Sequence, residues 1–245
     1  MDLNIERYGK GEKIVFIHGS GLNTNIWHKQ RDYLSSFAEV ILIDLPGHGN
    51  SPGSGCDSVE GYRDAIYNAI RELQLKDCYM VGHSLGGAIA LSFAISYPQV
   101  LKGLILIATG AKLKVFPQIL EGIIKDKEKT LREITNFAFS YKADKKLLDY
   151  QYNESLKCPS DVIYKDFFAC DNFNVMDTIN RISLPTLIIC GKDDALTPPK
   201  YAEFLQKHIK NSTLVLIEDS GHVPLLEKPD EVNKAIERFI RHANF

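Results

Sequence analysis

"CYMVGHSLGG" (Cys78 to Gly87) is the stretch on which the fold turns. An apolar run ends in a serine set between Gly82 and Gly86, and small apolar residues follow. A nucleophilic serine at such a turn needs a strand to carry it to the carboxyl edge of a sheet. It also needs glycines that permit a strained turn with a closely packed helix, and a following residue whose N–H can meet an oxyanion. Ser84 has all three, with Leu85 as the residue that follows. The same G-x-S-x-G pattern occurs in "GNSPG" (Gly49 to Gly53), but that copy follows the turn-rich "LPGHG", and its serine precedes Pro52, which has no N–H. Ser51 is therefore read as a loop residue. The five letters around Ser84 also fit a plain strand-to-helix turn, so the choice rests on the rest of the chain.

Outward from that turn, six apolar runs read as strands: residues 13–19, 39–45, 78–83, 103–109, 185–191 and 213–219. Continuous Ile, Val and Leu without alternation buries both faces, the mark of a parallel sheet covered by helices. Residues 58–75 place Val59, Tyr62, Ile66, Ile70 and Leu73 on one helical face, and residues 84–97 are small and apolar as a helix pressed on a sheet should be. Further helices are expected after Pro198–Pro199 and after Pro229. Strand alternating with helix predicts a doubly wound, mostly parallel α/β domain.

The alternation breaks once. Residues 111–183 hold no buried-strand run, and a loop of that length does not fit a compact domain. We read a helical insertion, with residues 1–110 and 184–245 forming the core domain. The insertion holds ten aromatics: Phe116, Phe137, Phe139, Tyr141, Tyr150, Tyr152, Tyr164, Phe167, Phe168 and Phe173. They are expected chiefly to form its own small core, with a few facing an apolar pocket.

Composition narrows the function. A net charge of −2 without a basic stripe argues against a nucleic-acid partner. No apolar run reaches membrane-spanning length, and "MDLNIERYGK" lacks the apolar region of a secretory signal. Five scattered cysteines without a C-x-x-C pair suit a reduced, cytoplasmic protein. No set of ligands stands at metal-binding spacing, so neither metal nor cofactor is expected.

A serine hydroxyl needs a general base, and the base needs a carboxylate to orient it. On a parallel sheet both should come from loops after later strands. "TLVLIEDSGHVPLLEKP" places His222 after the last strand, and "LIICGKDDALTP" supplies Asp193 and Asp194 after the one before. The order Ser, Asp, His follows.

With "HGSG" after the first long strand, "DLPGHGNS", "GHSLGG", "GKDDALTP" and "GHVPLLEKPDEV", the chain resembles the α/β-hydrolase family along nearly all its length. The resemblance implies Ser84, Asp194 and His222 as the catalytic triad, since the acid stands three residues after the glycine that ends its strand, here Gly191. It implies backbone N–H donors at Ser20 and Leu85 for the oxyanion, and a helical cap inserted after the sixth strand. His18, His48 and His83 are expected to stabilise turns, and Trp27 to pack under a loop.

"HGSGLN" with Trp27 close behind is similar to the start of pimeloyl-ester-type carboxylesterases, which implies a serine carboxylesterase acting on small-molecule esters. A monomer or homodimer is expected, with the choice between them left open by the sequence. Carbon–carbon hydrolases of this fold carry "SGPG" after the first strand and Trp after the histidine, where this chain has Leu22–Asn23 and Val223. Dehalogenases and epoxide hydrolases use Asp at the position of Ser84. Lactonase chemistry and a non-catalytic receptor on the same scaffold stay open at this point.

Overall fold

Runs that are apolar at every position have no solvent face, and the sheet they build is covered on both sides. The computed structural model describes residues 2–242. Its strands are β1 (Ile5–Tyr8), β2 (Glu12–Ile17), β3 (Ala38–Ile43), β4 (Cys78–His83), β5 (Leu101–Ile107), β6 (Thr186–Gly191) and β7 (Ser212–Ile217). They form one sheet in the order β1-β3-β2-β4-β5-β6-β7. All neighbours are parallel except β1, which runs antiparallel to β3 with Ile5 opposite Ile43. The helices are α1 (His28–Leu34), α2 (Val59–Glu72), α3 (Leu85–Ser96), α4 (Pro117–Lys125), α5 (Lys127–Ala138), α6 (Lys145–Leu156), α7 (Ser160–Asn172), α8 (Pro199–His208), α9 (Pro224–Glu227) and α10 (Pro229–His242).

Strand side chains alternate between two cores. Val15, Ile17, Ile41, Ile43 and Met80 pack with Tyr62 and Ile66 of α2, Ile89 and Phe93 of α3, and Leu205 of α8. Ile14, Phe16, Val40, Leu42, Tyr79 and Val81 pack with Leu34 of α1 and Val232, Ile236 and Ile240 of α10. The doubly wound α/β architecture expected from the runs is what forms. Pro199 and Pro229 open α8 and α10, where their fixed φ costs nothing.

Two corrections concern the insertion. It follows the fifth strand, not the sixth: α4 to α7 lie between β5 and β6. Its interior is also mainly aliphatic, built from buried Ile123, Leu131, Cys158, Val162 and Ile163, with Tyr152, Tyr164 and Phe167 only packed against them. Phe139 and Phe173 are buried instead in the two cores flanking the sheet, and Phe116, Phe137 and Tyr141 are exposed.

The two ends of the insertion meet. Lys112 bridges Asn174 in an isolated antiparallel pair, and the Val175 amide donates to Ala111 O at 2.8 Å. The segment after α5 is stitched to the loop after β7. There the His222 amide donates to Ala138 O at 2.6 Å and the Ser140 amide to Glu227 Oε2 at 2.9 Å.

Candidate active site

The turn after β4 forces Ser84 to φ 54° and ψ −117°, a conformation that costs a non-glycine residue of order 1–3 kcal/mol. Two glycines make it possible. A Cβ on Gly82 would lie 2.1 Å from Gly86 O, and one on Gly86 would lie 2.2 Å from Ile17 O. The Ser84 amide donates to Ile107 O of the neighbouring strand at 3.0 Å, and its carbonyl accepts from the Thr109 hydroxyl at 2.9 Å. The side chain is thus held out at the sheet edge while its backbone is pinned beneath.

Ser84 Oγ lies 3.0 Å from His222 Nε2, and His222 Nδ1 lies 2.9 Å from Asp194 Oδ2. The serine is half-buried, while His222 and Asp194 are 5% and 3% exposed. Burial alone would push the Asp194 carboxyl up. The facing His222 ring and the hydrogen bonds from His222 and Thr197 outweigh it and hold the carboxyl below its usual range. The neighbouring Asp193 is exposed and accepts from the Ser140 hydroxyl at 2.6 Å, away from His222.

The two candidate oxyanion donors come from different turns at the sheet edge. Ser20 stands in the loop after β2 and Leu85 at the first position of α3, where helix amides have no intrahelical partner. Among the described residues neither amide is taken up by a backbone acceptor. The Gly19 position is tight as well: a Cβ there would lie 3.2 Å from Ser84 Cβ. The loop after β2 therefore packs directly on the turn.

His83, His18 and His48 hold the backbone around the site in three different ways. His83 is fully buried and pushed down to about 3 by burial and by His222 beside it. Its Nε2 donates to His222 O at 2.9 Å and steadies the backbone of His222. His18 is likewise pushed down to about 3, by burial first and His48 second. Its Nε2 accepts from the Leu45 amide at 3.0 Å, and its Nδ1 donates to Gly19 O at 2.9 Å. His48 does more than hold its turn, because its Nε2 lies 2.8 Å from Asp166 Oδ2 with both side chains sealed from solvent. Trp27 is fully buried, with Phe16 at 5.0 Å and His83 at 6.4 Å between ring centroids. Ser51 is buried away from the site, its hydroxyl donating to Asp44 O at 2.6 Å.

Three residues that sequence reasoning did not single out shape this site. Thr197 grips Asp194, Glu227 accepts from the Gly221 amide at 2.8 Å, and Asp166 anchors the loop after β2. Only Asp166 left a signal. It falls at the spacing of Val162, Ile163, Ala169 and Cys170, a carboxylate on the buried face of its helix.

A cavity of about 110 Å³ opens onto Ser84 and His222. Its walls are Leu113, Val115, Phe116, Ile119, Ile134 and Phe167 from the insertion, with Ala195 and Leu196 from the loop after β6. So of the ten aromatics only Phe116 and Phe167 reach it. No cluster of three His, Cys, Asp or Glu suited to a metal ion occurs among the described residues. No helix of the described residues is long and apolar enough to cross a membrane.

Comparison with known proteins places this geometry in context. Residues 14–235 match the model of the Alpha/beta hydrolase family. The chain is 28% identical to the pimeloyl-[acyl-carrier protein] methyl ester esterase of Aeromonas hydrophila, over 98% of this chain and 100% of that one. It is 34% identical to a thermophilic esterase of solved structure, covering 98% of this chain and 99% of the other with a TM-score of 0.87. An esterase from Exiguobacterium antarcticum shares the fold at a TM-score of 0.93 and 22% identity, covering 98% and 95% of the two chains.

Proposed function

The chain belongs to the alpha/beta hydrolase family, and on that premise we propose that it is a serine carboxylesterase working through an acyl-enzyme. The observation that carries the reading is the unbroken line from Ser84 Oγ to His222 Nε2 at 3.0 Å and from His222 Nδ1 to Asp194 Oδ2 at 2.9 Å. His222 takes the proton of Ser84 as its oxygen attacks the ester carbonyl. The tetrahedral oxyanion is met by the Ser20 and Leu85 amides. The alcohol leaves with the proton from His222, and water then releases the acid by the reverse route. Asp194 holds His222 in the tautomer with its proton on Nδ1 and stabilises the imidazolium that forms. No step calls for a cofactor.

Residues 111–183 act as the cap that shapes the bound ester. A cavity of about 110 Å³ is smaller than the roughly 150 Å³ that holds one benzene molecule. It takes a small apolar acyl or alcohol group and leaves the remainder of the substrate at the open mouth. A methyl ester, the kind named for the Aeromonas relative, fits that limit. We place the enzyme in the cytoplasm, a reading supported by five cysteines without a disulfide.

The test is direct. Purified protein should hydrolyse a short-chain p-nitrophenyl ester, and a fluorophosphonate probe should add its mass to Ser84. A Ser84→Ala chain that turns over as fast as wild type, or a probe that labels a control esterase but not Ser84, would overturn the reading.

A further inference from the structure

The Ser20 amide belongs to the Gly19–Ser20 peptide plane, so its direction is fixed by whatever holds Gly19 O and by whatever holds the next plane along. Gly19 O accepts from His18 Nδ1 at 2.9 Å and from the Leu22 amide at 3.2 Å. The Gly21 amide, which belongs to the Ser20–Gly21 plane, donates to Asp166 Oδ2 at 2.8 Å. Both planes flanking the Ser20 Cα are therefore pinned. The second pin comes from α7, 145 residues away and inside the insertion.

Asp166 is itself immobilised. It is fully buried, accepts from the Tyr62 hydroxyl at 2.5 Å on Oδ1, and shares Oδ2 with His48 Nε2 at 2.8 Å. His48 Nδ1 lies 3.1 Å from Pro46 O. A carbonyl and a carboxylate both only accept, so both ring nitrogens donate and the ring is an imidazolium facing a carboxylate. Each carboxylate oxygen of Asp166 has at least one donor, as a buried charge requires.

We infer that Asp166 is a positioning residue for the oxyanion donor at Ser20, through which docking of the inserted helices sets the loop after β2 in its working geometry. The inference rests on the assignment of Ser20 as a donor. A displacement of about 1 Å at a reacting centre costs on the order of 10²-fold in rate, so a loop that loses one of its two pins should lose turnover rather than substrate binding.

The experiment compares variants of the full chain on one p-nitrophenyl ester. Wild type must turn over and take the fluorophosphonate at Ser84; if it does neither, the esterase reading fails and this inference falls with it. Asp166→Ala should lower kcat by about 10- to 100-fold with KM within about threefold. Affinity for an alkyl boronic acid, which mimics the tetrahedral oxyanion, should weaken by the same factor. Asp166→Asn keeps an acceptor for Gly21 and should restore kcat to within about threefold of wild type. Tyr62→Phe loosens the anchor but leaves the Gly21 bond, and should also stay within about threefold. A folded Asp166→Ala chain with wild-type kcat would overturn the inference, as would a Tyr62→Phe loss as large as that of Asp166→Ala. Should Asp166→Ala not fold, an NMR scalar coupling across the Gly21 N–H···Asp166 bond in the wild-type chain decides: its presence supports the inference and its absence overturns it.

Discussion

Thr197 holds both oxygens of the Asp194 carboxylate, its amide 2.8 Å from Oδ1 and its hydroxyl 2.8 Å from Oδ2. The Leu196 amide adds a third bond at 2.9 Å. The acid is thus aimed at His222 by the chain immediately after it, before any longer-range packing is considered. Removing the charge with Asp194→Asn should lower kcat by about 10⁴-fold through the wrong histidine tautomer. Thr197→Val keeps the amide and loses the hydroxyl, a bond worth about 1 kcal/mol, and should lower kcat only about fivefold. Steady-state kinetics on a p-nitrophenyl ester would check both, and equal losses would contradict this division of labour.

The left-handed backbone of Ser84 predicts a trade of activity for stability. Ser84→Gly removes the steric conflict at φ 54° and should raise unfolding stability by about 1 kcal/mol while abolishing turnover. Ser84→Ala should abolish turnover without that gain. Urea midpoints of the three chains give the comparison. A glycine variant no more stable than the alanine variant would mean that the turn stores no strain.

The neutral histidines predict a loss of stability in acid. His18 and His83 are both held near 3 by burial, so between pH 6.5 and 3 the unfolded chain binds protons that the folded chain refuses. Stability therefore falls as pH falls, with these two sites contributing up to about 2.7 kcal/mol per pH unit. His83→Gln preserves a donor for His222 O and should remove about half of that slope. Free energies of unfolding at pH 6, 5 and 4 would show it. An unchanged slope would mean that His83 is protonated in the folded protein.

These features differed in how far the sequence disclosed them. Strands buried on both faces announce themselves by composition, so β2 to β7 are legible in apolar runs. Their ends are less so: the run at 13–19 continues past β2, which stops at Ile17 where the chain bends into the His18–Gly21 loop. β1 was missed because it is short, at an edge, and only half-buried, leaving charge and apolar residues interleaved. The meeting of Ser84, Asp194 and His222 was legible because each follows a strand in a motif. The pairing of Asp166 with His48 was not, since 118 residues separate them; Asp166 shows in sequence only as a carboxylate on the buried face of its helix.

The His48–Asp166 pair predicts a stability change of opposite sign with pH. Burial disfavours the His48 charge, but Asp166 outweighs it and lifts His48 well above its usual value. The pair's contribution is complete below about pH 6.5 and is lost as pH rises through the folded value. His48→Ala leaves Asp166 buried without a counter-charge and should cost about 3–5 kcal/mol at neutral pH. Thermal unfolding should drop by about 6–20 °C accordingly. A drop under about 2 °C would mean that water or Tyr62 compensates for the lost cation.

Cavity size predicts chain-length preference. Phe167 closes one wall of the space above Ser84, and Phe167→Ala should move the optimum of a p-nitrophenyl ester series toward longer acyl chains by several carbons. The p-nitrophenyl acetate rate should change far less, because the reacting end of the pocket is untouched. If the series keeps its wild-type profile, the acyl chain leaves the site by another route.

The bridge between Lys112 and Asn174 brings the entry and exit of four helices to within one hydrogen-bonded rung of each other. In evolutionary terms this is a splice point: what lies beyond it can be exchanged without moving a strand. Yet the exchange is conditional, because Gly21, Tyr62 and His48 on the near side all await one carboxylate from the far side. A transplanted insertion that lacks an acid at that spot would leave a buried cation and two donors stranded beside the loop after β2. An insertion exchanged at this point has therefore to bring the matching acid with it.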